Sequence, residues 1–290
     1  MPPTGRAASP CAGRNEILRD LDQPALQAAS NFLATHWREG RHADTLPPGL
    51  CPRSRAEGYA IQALIEEQGL GRRRGWKVAA TSAAGQAHIN VDGPLAGRLL
   101  ASRVAAKGAP LPLGANRMRV AEVEFAFRMG RSLSPRPEPY AADAVVAAVA
   151  ALHLGIEVPD SRFADFAAVG AAQLIADNAC ADRFMLGPAV AAPWREADLA
   201  AHAVLGVNGK VVHEGRGGNV LGDPRIALAW LVNYLGRHGT TLGEGEIVTT
   251  GTCVVPVPVA PGDVVTGDYG AFGSLQVRFT DQGSGGCQAA

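Results

Sequence analysis

Residues 119–129 read RVAEVEFAFRM, and their alternation decides the architecture. Odd positions give Ala121, Val123, Phe125, Phe127 and Met129, whereas even positions give Val120, Glu122, Glu124, Ala126 and Arg128. A period of two belongs to a β-strand, whose successive side chains point to opposite faces. The odd face is wholly apolar and predicts a core contact. The even face carries two neighbouring carboxylates, roughly 7 Å apart at Cα by strand rise. Like charges so placed repel unless a cation or a shared proton relieves them. The solvated outer face of a half-buried sheet shows the same pattern, and alternation alone leaves both readings open.

Residues 152–158, LHLGIEV, alternate in the same way. Leu152, Leu154, Ile156 and Val158 take one side, and His153, Gly155 and Glu157 the other. Should the two strands meet, Glu157 supplies a third carboxylate beside Glu122 and Glu124. Such an oxygen-only set suits a hard divalent cation, Mg²⁺ or Mn²⁺, which keeps open positions for water or substrate. His153 reads as a hydrogen-bonded interior histidine.

Outward from this centre, the chain changes texture near residue 75. Upstream, apolar residues recur at helical spacing and predict helices over about 17–39 and 53–69. The Pro/Gly-rich segment HADTLPPGLCP (42–52) connects them. Downstream, short β-branched runs separated by Gly and Pro predict strands at 75–80, 120–129, 152–158, 184–186, 203–207, 210–214, 247–250, 264–268 and 274–279. Asn208–Gly209 between two such runs is a hairpin signal. Helices are expected over 141–151 and 225–235. Hairpin-linked strands with few intervening helices indicate an α+β fold. The expected organisation is a flexible arm (1–15), a helical to α+β region (16–100), a β-rich metal-binding catalytic region (101–280) and a flexible tail (281–290).

Composition removes several functional classes. The chain of 290 residues has 27 Lys+Arg against 27 Asp+Glu, so it lacks the positive charge with which nucleic-acid binders neutralise phosphates. Hydrophobic residues at 47% and charged residues at 19% are globular rather than disordered usage. The stretch 144–156 is the longest uncharged apolar run and falls short of the roughly 18–20 residues of a membrane helix. Residues 1–15 have no apolar core typical of a secretory signal, so a cytoplasmic protein is expected. Five scattered cysteines form no CxxC, which removes a zinc ribbon, and Cys253 reads as a packed thiol. GxGxxG, Walker A, GxSxG and HExxH are all absent. The Arg72–Arg74 run beside Trp76 reads as a solvated loop end.

VAEVEFAFRMGRSL (120–133), LHLGIEVPDSRF (152–163), IADNACADRFMLG (175–187) and IVTTGTCVVPVPVAPGDVV (247–265) occur in that order. With GWKVAATS (75–82) and INVDGPLAGRL (89–99), they resemble the 2-keto-4-pentenoate hydratase group of the fumarylacetoacetate hydrolase superfamily over roughly residues 55–280. The resemblance implies a mixed β-roll or sandwich like that superfamily's C-terminal domain, preceded by a helical part. It also implies a Mg²⁺ or Mn²⁺ site at Glu122, Glu124 and Glu157, and a small 2-oxo acid as substrate. Lys77 is the implied proton carrier, with a pKa expected to fall near a metal and in a partly dry pocket, and Asp92 its implied acidic partner. Thr81, Ser82, Asn178, Thr250 and Thr252 are the implied substrate-binding positions. Asp92, Asn178 and the threonines also suit turn capping or plain strand propensity. Ser161 and Arg162 either steady the carboxylates or touch substrate. Water addition to a 2-hydroxydienoate, yielding a 4-hydroxy-2-oxo acid, is the implied reaction. Decarboxylation of a 4-oxalocrotonate-type acid and acylpyruvate C–C hydrolysis are alternatives on the same scaffold, and a non-catalytic partner-stabilising homologue is a more distant one. A homo-oligomer, associating with a pathway decarboxylase, is expected from the family habit. AATS after the lysine strand, where GLTS is commoner, leaves the far end of the substrate open.

Overall fold

The computed structural model describes residues 20–281; the expected arm at 1–15 and residues 282–290 of the expected tail lie outside the described residues. Its strands, in chain order, are β1 (Arg73–Ala79), β2 (Leu95–Leu100), β3 (Val104–Ala106), β4 (Leu111–Pro112), β5 (Val120–Met129), β6 (Val149–Val158), β7 (Arg183–Ala189), β8 (Ala203–Asn208), β9 (Val211–Arg216), β10 (Ile247–Thr252), β11 (Val257–Pro258), β12 (Val264–Asp268) and β13 (Ser274–Thr280). The helices are α1 (Gln23–Glu39), α2 (Arg55–Ala63), α3 (Ala83–His88), α4 (Ala142–Val146), α5 (Ala171–Ala176) and α6 (Pro224–Arg237).

Two sheets organise the molecule. The larger runs β2-β1-β10-β5-β6-β7-β3 with β11 paired to β5, and the smaller runs β4-β13-β12-β8-β9. This is the expected α+β architecture of curled mixed sheets with a helical N-terminal part. The odd face of β5 is fully buried and joins α6 (Leu228, Leu231) and β13 (Leu275, Val277) in the main core. Burial of Phe125 and Phe127 alone contributes roughly 1.5–3 kcal/mol each, which commits that face inward and sends Glu122 and Glu124 to the other. A second cluster packs Ala29 and Leu33 of α1 and Ile61 of α2 against Leu174 and Ile175 of α5. Ser54 caps α2 through a reciprocal box with Glu57, whose carboxylate also accepts from the Leu21 N–H (2.8 Å). Residues on either side of position 100 share the larger sheet, since β1 and β2 extend it beyond β10.

The expected helix over 141–151 is a correction. Only Ala142–Val146 is helical, and β6 begins at Val149. The Ala/Val run satisfies helix propensity locally, but Val149 and Ala151 pair with Met129 and Arg128 of β5, and the sheet overrides it. The second expected helix divides into α2 and a 3₁₀ segment, Leu64–Gln68. Arg73 of the arginine run is no solvated loop end, because its guanidinium lies 4.9 Å from the Trp76 ring centroid and pairs with Glu246 (2.6 Å).

Candidate metal centre

The antiparallel register of β5 and β6 sets Glu122 directly opposite Glu157 and Glu124 opposite Gly155. One ligand oxygen from each of Glu122, Glu124 and Glu157 lies within 4.8 Å of the others. Glu124 and Glu157 are fully buried and Glu122 is half-buried. From β1, Lys77 reaches across, and its Nζ sits 2.9 Å from Glu157 Oε1. No donor of the described residues reaches Glu157 Oε2 or Glu124 Oε1. Buried carboxylate oxygens left without donors are costly. Three hard oxygen ligands converging with such orphaned lone pairs fit a divalent cation, which would satisfy them.

Electrostatics agree with the geometry. Burial raises the Glu124 carboxyl well above the ordinary carboxylate value, and the Glu157 and Glu122 charges raise it further. Burial likewise raises Glu157 and Glu122, with Lys77 opposing it in both. For Lys77 itself, burial pulls the pKa down, but Glu157, Glu122 and Glu124 outweigh it and the ammonium is held above its ordinary value. The expected fall of Lys77 belongs to the metal-loaded site; without a cation, the glutamates' charge outweighs the dry surroundings.

The structure brings some of the expected site residues together and not others. Lys77, Glu122, Glu124 and Glu157 form one cluster. Thr81 is buried with its side chain against Gly251, where a Cβ would lie 2.1 Å from Thr81 Oγ1 and where φ is +101°. Glycine is required there on both counts. Ser82 spends its hydroxyl as the N-cap of α3, accepting from the Gly85 N–H (3.0 Å). Thr250 donates to the Phe125 carbonyl (3.0 Å) and Thr252 to that of Val254 (2.7 Å), so both hydroxyls serve the backbone. Asn178 clamps β2, accepting from the Arg98 N–H (2.7 Å) and donating to the Arg98 carbonyl (2.9 Å). Asp92 does not pair with Lys77: its side chain is 87% exposed and pairs with Arg55. Ser161 and Arg162 hold Asp177 rather than the three glutamates, with Ser161 Oγ donating to Asp177 Oδ2 (2.7 Å). His153 is an interior histidine, its Nδ1 2.9 Å from the Gly187 carbonyl.

Four contributors escaped the sequence reading. The Thr249 hydroxyl and the Gly251 N–H (2.9 Å) both donate to Glu124 Oε2 and fix that carboxylate. The Tyr269 hydroxyl, just past the end of β12, lies 2.7 Å from the carbonyls of both Glu124 and Gly155 and ties β5 to β6 beside the cluster. Gly97 faces Lys77 across the β1–β2 pair, and a Cβ there would lie 2.4 Å from the Asn178 carbonyl oxygen and 3.0 Å from Lys77 Cγ.

Comparison with known proteins places these features in context. Residues 84–280 match the family model described as Fumarylacetoacetate (FAA) hydrolase C-terminal. A 2-keto-4-pentenoate hydratase from Burkholderia vietnamiensis is 33% identical over 236 residues, covering 80% of this chain and 88% of the relative. A 4-oxalocrotonate decarboxylase from Pseudomonas putida is 37% identical over 136 residues, 47% of this chain and 51% of that protein. Among solved structures, the 4-oxalocrotonate decarboxylase from Pseudomonas putida G7 complexed with magnesium and adipate superposes with a TM-score of 0.81 at 26% identity, covering 90% of this chain and all of that one. No helix among the described residues is long and apolar enough to cross a membrane.

Proposed function

The chain belongs to the fumarylacetoacetate hydrolase family, and from that premise we propose that it is a divalent-metal-dependent hydro-lyase. Its substrate in this reading is a 2-hydroxydienoate of the 2-keto-4-pentenoate class. The carrying observation is the buried convergence of Glu122, Glu124 and Glu157 with Lys77 held 2.9 Å from Glu157. Glu122, Glu124 and Glu157 would hold the ion, Mg²⁺ or Mn²⁺. Such an ion supplies Lewis acidity toward the carboxylate and 2-oxo oxygens of a 2-oxo acid.

The remaining work falls to the chain. Thr249 and the Gly251 N–H keep Glu124 in one orientation, so the acidic set is preorganised before substrate arrives. Conversion of the dienol to a 2-oxo-3-enoate moves a proton from the 2-hydroxyl to C5. Water addition then places hydroxyl on C4 and a proton on C3. Lys77 Nζ is the buried group able to carry these protons. Once cationic charge on the glutamates offsets their field, burial is left as the main influence on Lys77 and draws its pKa toward a working range. A small 2-oxo acid is the only partner this chemistry requires, and the homo-oligomer expected from the family, with an associated decarboxylase, stays part of the proposal.

Decarboxylation is the second reading, favoured by the full coverage of the 4-oxalocrotonate decarboxylase structure. It uses the same stabilisation of negative charge at the 2-oxygen but adds no water. Turnover of 2-hydroxypenta-2,4-dienoate and of 2-oxo-3-hexenedioate with Mg²⁺ or Mn²⁺ separates the two. Hydration of the first without CO₂ from the second is expected. Faster CO₂ release from the second transfers the assignment to decarboxylase, and turnover of neither overturns both.

A further inference from the structure

A cavity of about 330 Å³ opens at the C-terminal end of α1, and no member of the glutamate cluster lines it. That volume lies at the lower end of small-molecule sites. Its walls bring together five guanidiniums, of Arg38, Arg41, Arg103, Arg162 and Arg183, against the carboxylates of Glu39, Asp160 and Asp182. These acids are largely engaged. Glu39 pairs with Arg41, and Asp182 takes both Arg103 Nη1 (3.1 Å) and the Trp37 indole N–H (3.0 Å). Asp160 accepts from the Arg117 N–H (3.0 Å).

Two donors are left over. Arg162 is 3% exposed and bound from behind by Asp177, yet its Nη1 is buried with no partner among the described residues. Arg183 Nε is likewise buried and without a hydrogen bond, its nearest carboxylate oxygen being 3.8 Å away on Asp182. The guanidiniums are also held in place: Arg162 and Arg103 lie 4.1 and 5.1 Å from the Trp37 ring centroid. Arg162 spends Nε and Nη2 on Asp177 and Arg103 spends Nη1 on Asp182, so the held guanidiniums offer leftover N–H groups, which match the oxygens of carboxylates and phosphates. His42 on the same wall has its pKa lowered, first by burial and then by the charges of Arg117 and Arg162.

We infer that this cavity is an oxyanion-binding site, separate from the glutamate cluster, for a small carboxylate- or phosphate-bearing molecule. Calorimetric titration of the full chain with inorganic phosphate and with succinate, in the presence of a chelator, tests it. Saturable binding of one probe at one site per chain is expected, weakening as salt is raised. Phosphate alone identifies a phosphate-bearing ligand, and succinate alone a carboxylate. Arg183→Gln and Arg41→Gln should each weaken binding about tenfold, the scale of one charge-assisted hydrogen bond, while Lys77→Met leaves it unchanged. Melting curves without ligand establish that the variants fold. Absence of saturable binding for both probes overturns the inference. So does binding that survives Arg183→Gln and Arg41→Gln, or that is lost in Lys77→Met.

Discussion

Glu124→Gln should make the metal-free protein more stable while abolishing its response to divalent ions. Glu124 is fully buried, its Oε2 is satisfied by Thr249 and Gly251, and its Oε1 points without a donor among other carboxylates. Burial and then the neighbouring charges hold it well above the ordinary carboxylate value, so the folded state opposes ionising it in a way the unfolded chain does not. A buried acceptor left without a donor, as Oε1 is, costs about 1–3 kcal/mol. Glutamine removes this cost, preserves an acceptor toward Thr249 and Gly251, and offers an amide donor to Glu122 and Glu157. A gain of about 1–3 kcal/mol corresponds to roughly 2–6 °C in Tm for a chain of this size.

Divalent ions act in the opposite sense. At a concentration of 100 Kd, an ion that binds only the folded state stabilises the wild type by about 2.7 kcal/mol, again several degrees. The variant lacks one of three charged ligands and should gain little. Differential scanning calorimetry with and without Mn²⁺ should therefore show the variant melting above the wild type in chelator, with a metal increment only in the wild type. A variant that melts below the wild type in chelator and keeps the full metal increment would refute the acidic-cluster reasoning.

Other perturbations probe the neighbouring parts. Lys77→Met should retain the Mn²⁺ increment in Tm but lose turnover by about 10²-fold or more, the scale of general acid–base catalysis; a fully active variant removes Lys77 from the chemistry. Gly97→Ala sets a methyl against the Asn178 carbonyl oxygen and the Lys77 stem, so it should destabilise by about 1–3 kcal/mol and lower kcat with Lys77 displaced; unaltered melting and kcat would contradict the packing. Asp160 is pushed up to about 6 by burial, so the folded state binds a proton more readily than the unfolded chain and stability falls as pH rises from about 4 to 6. Asp160→Asn should match the wild type in Tm near pH 4 and exceed it at pH 8, and equal melting at both pH values would count against that burial.

What was legible in the sequence followed the range over which its pattern acts. Alternation within 120–129 and 152–158 is local, and it assigned the faces of β5 and β6 correctly, including the third glutamate. The threonines were harder for a definite reason. β10 shifts register between Thr249 and Thr252, around Gly251 at φ +101°, so simple alternation through VTTGT loses its phase where the site lies. Thr249 donates to Glu124, whereas Thr252, opposite Glu124 in the register, turns its hydroxyl to the Val254 carbonyl. Asn178 begins three successive left-handed residues with Ala179 and Cys180, and this turn carries its amide onto β2 instead of a ligand. Tyr269 follows β12 of the second sheet and reaches the cluster only through tertiary packing. Lys77 lies within the acidic cluster, as its strand position suggested, but GWKV cannot report how many acids share its pocket. The sign of a buried lysine's pKa is set by the count of unpaired carboxylates around it, and that count exists only after β1, β5 and β6 have come together.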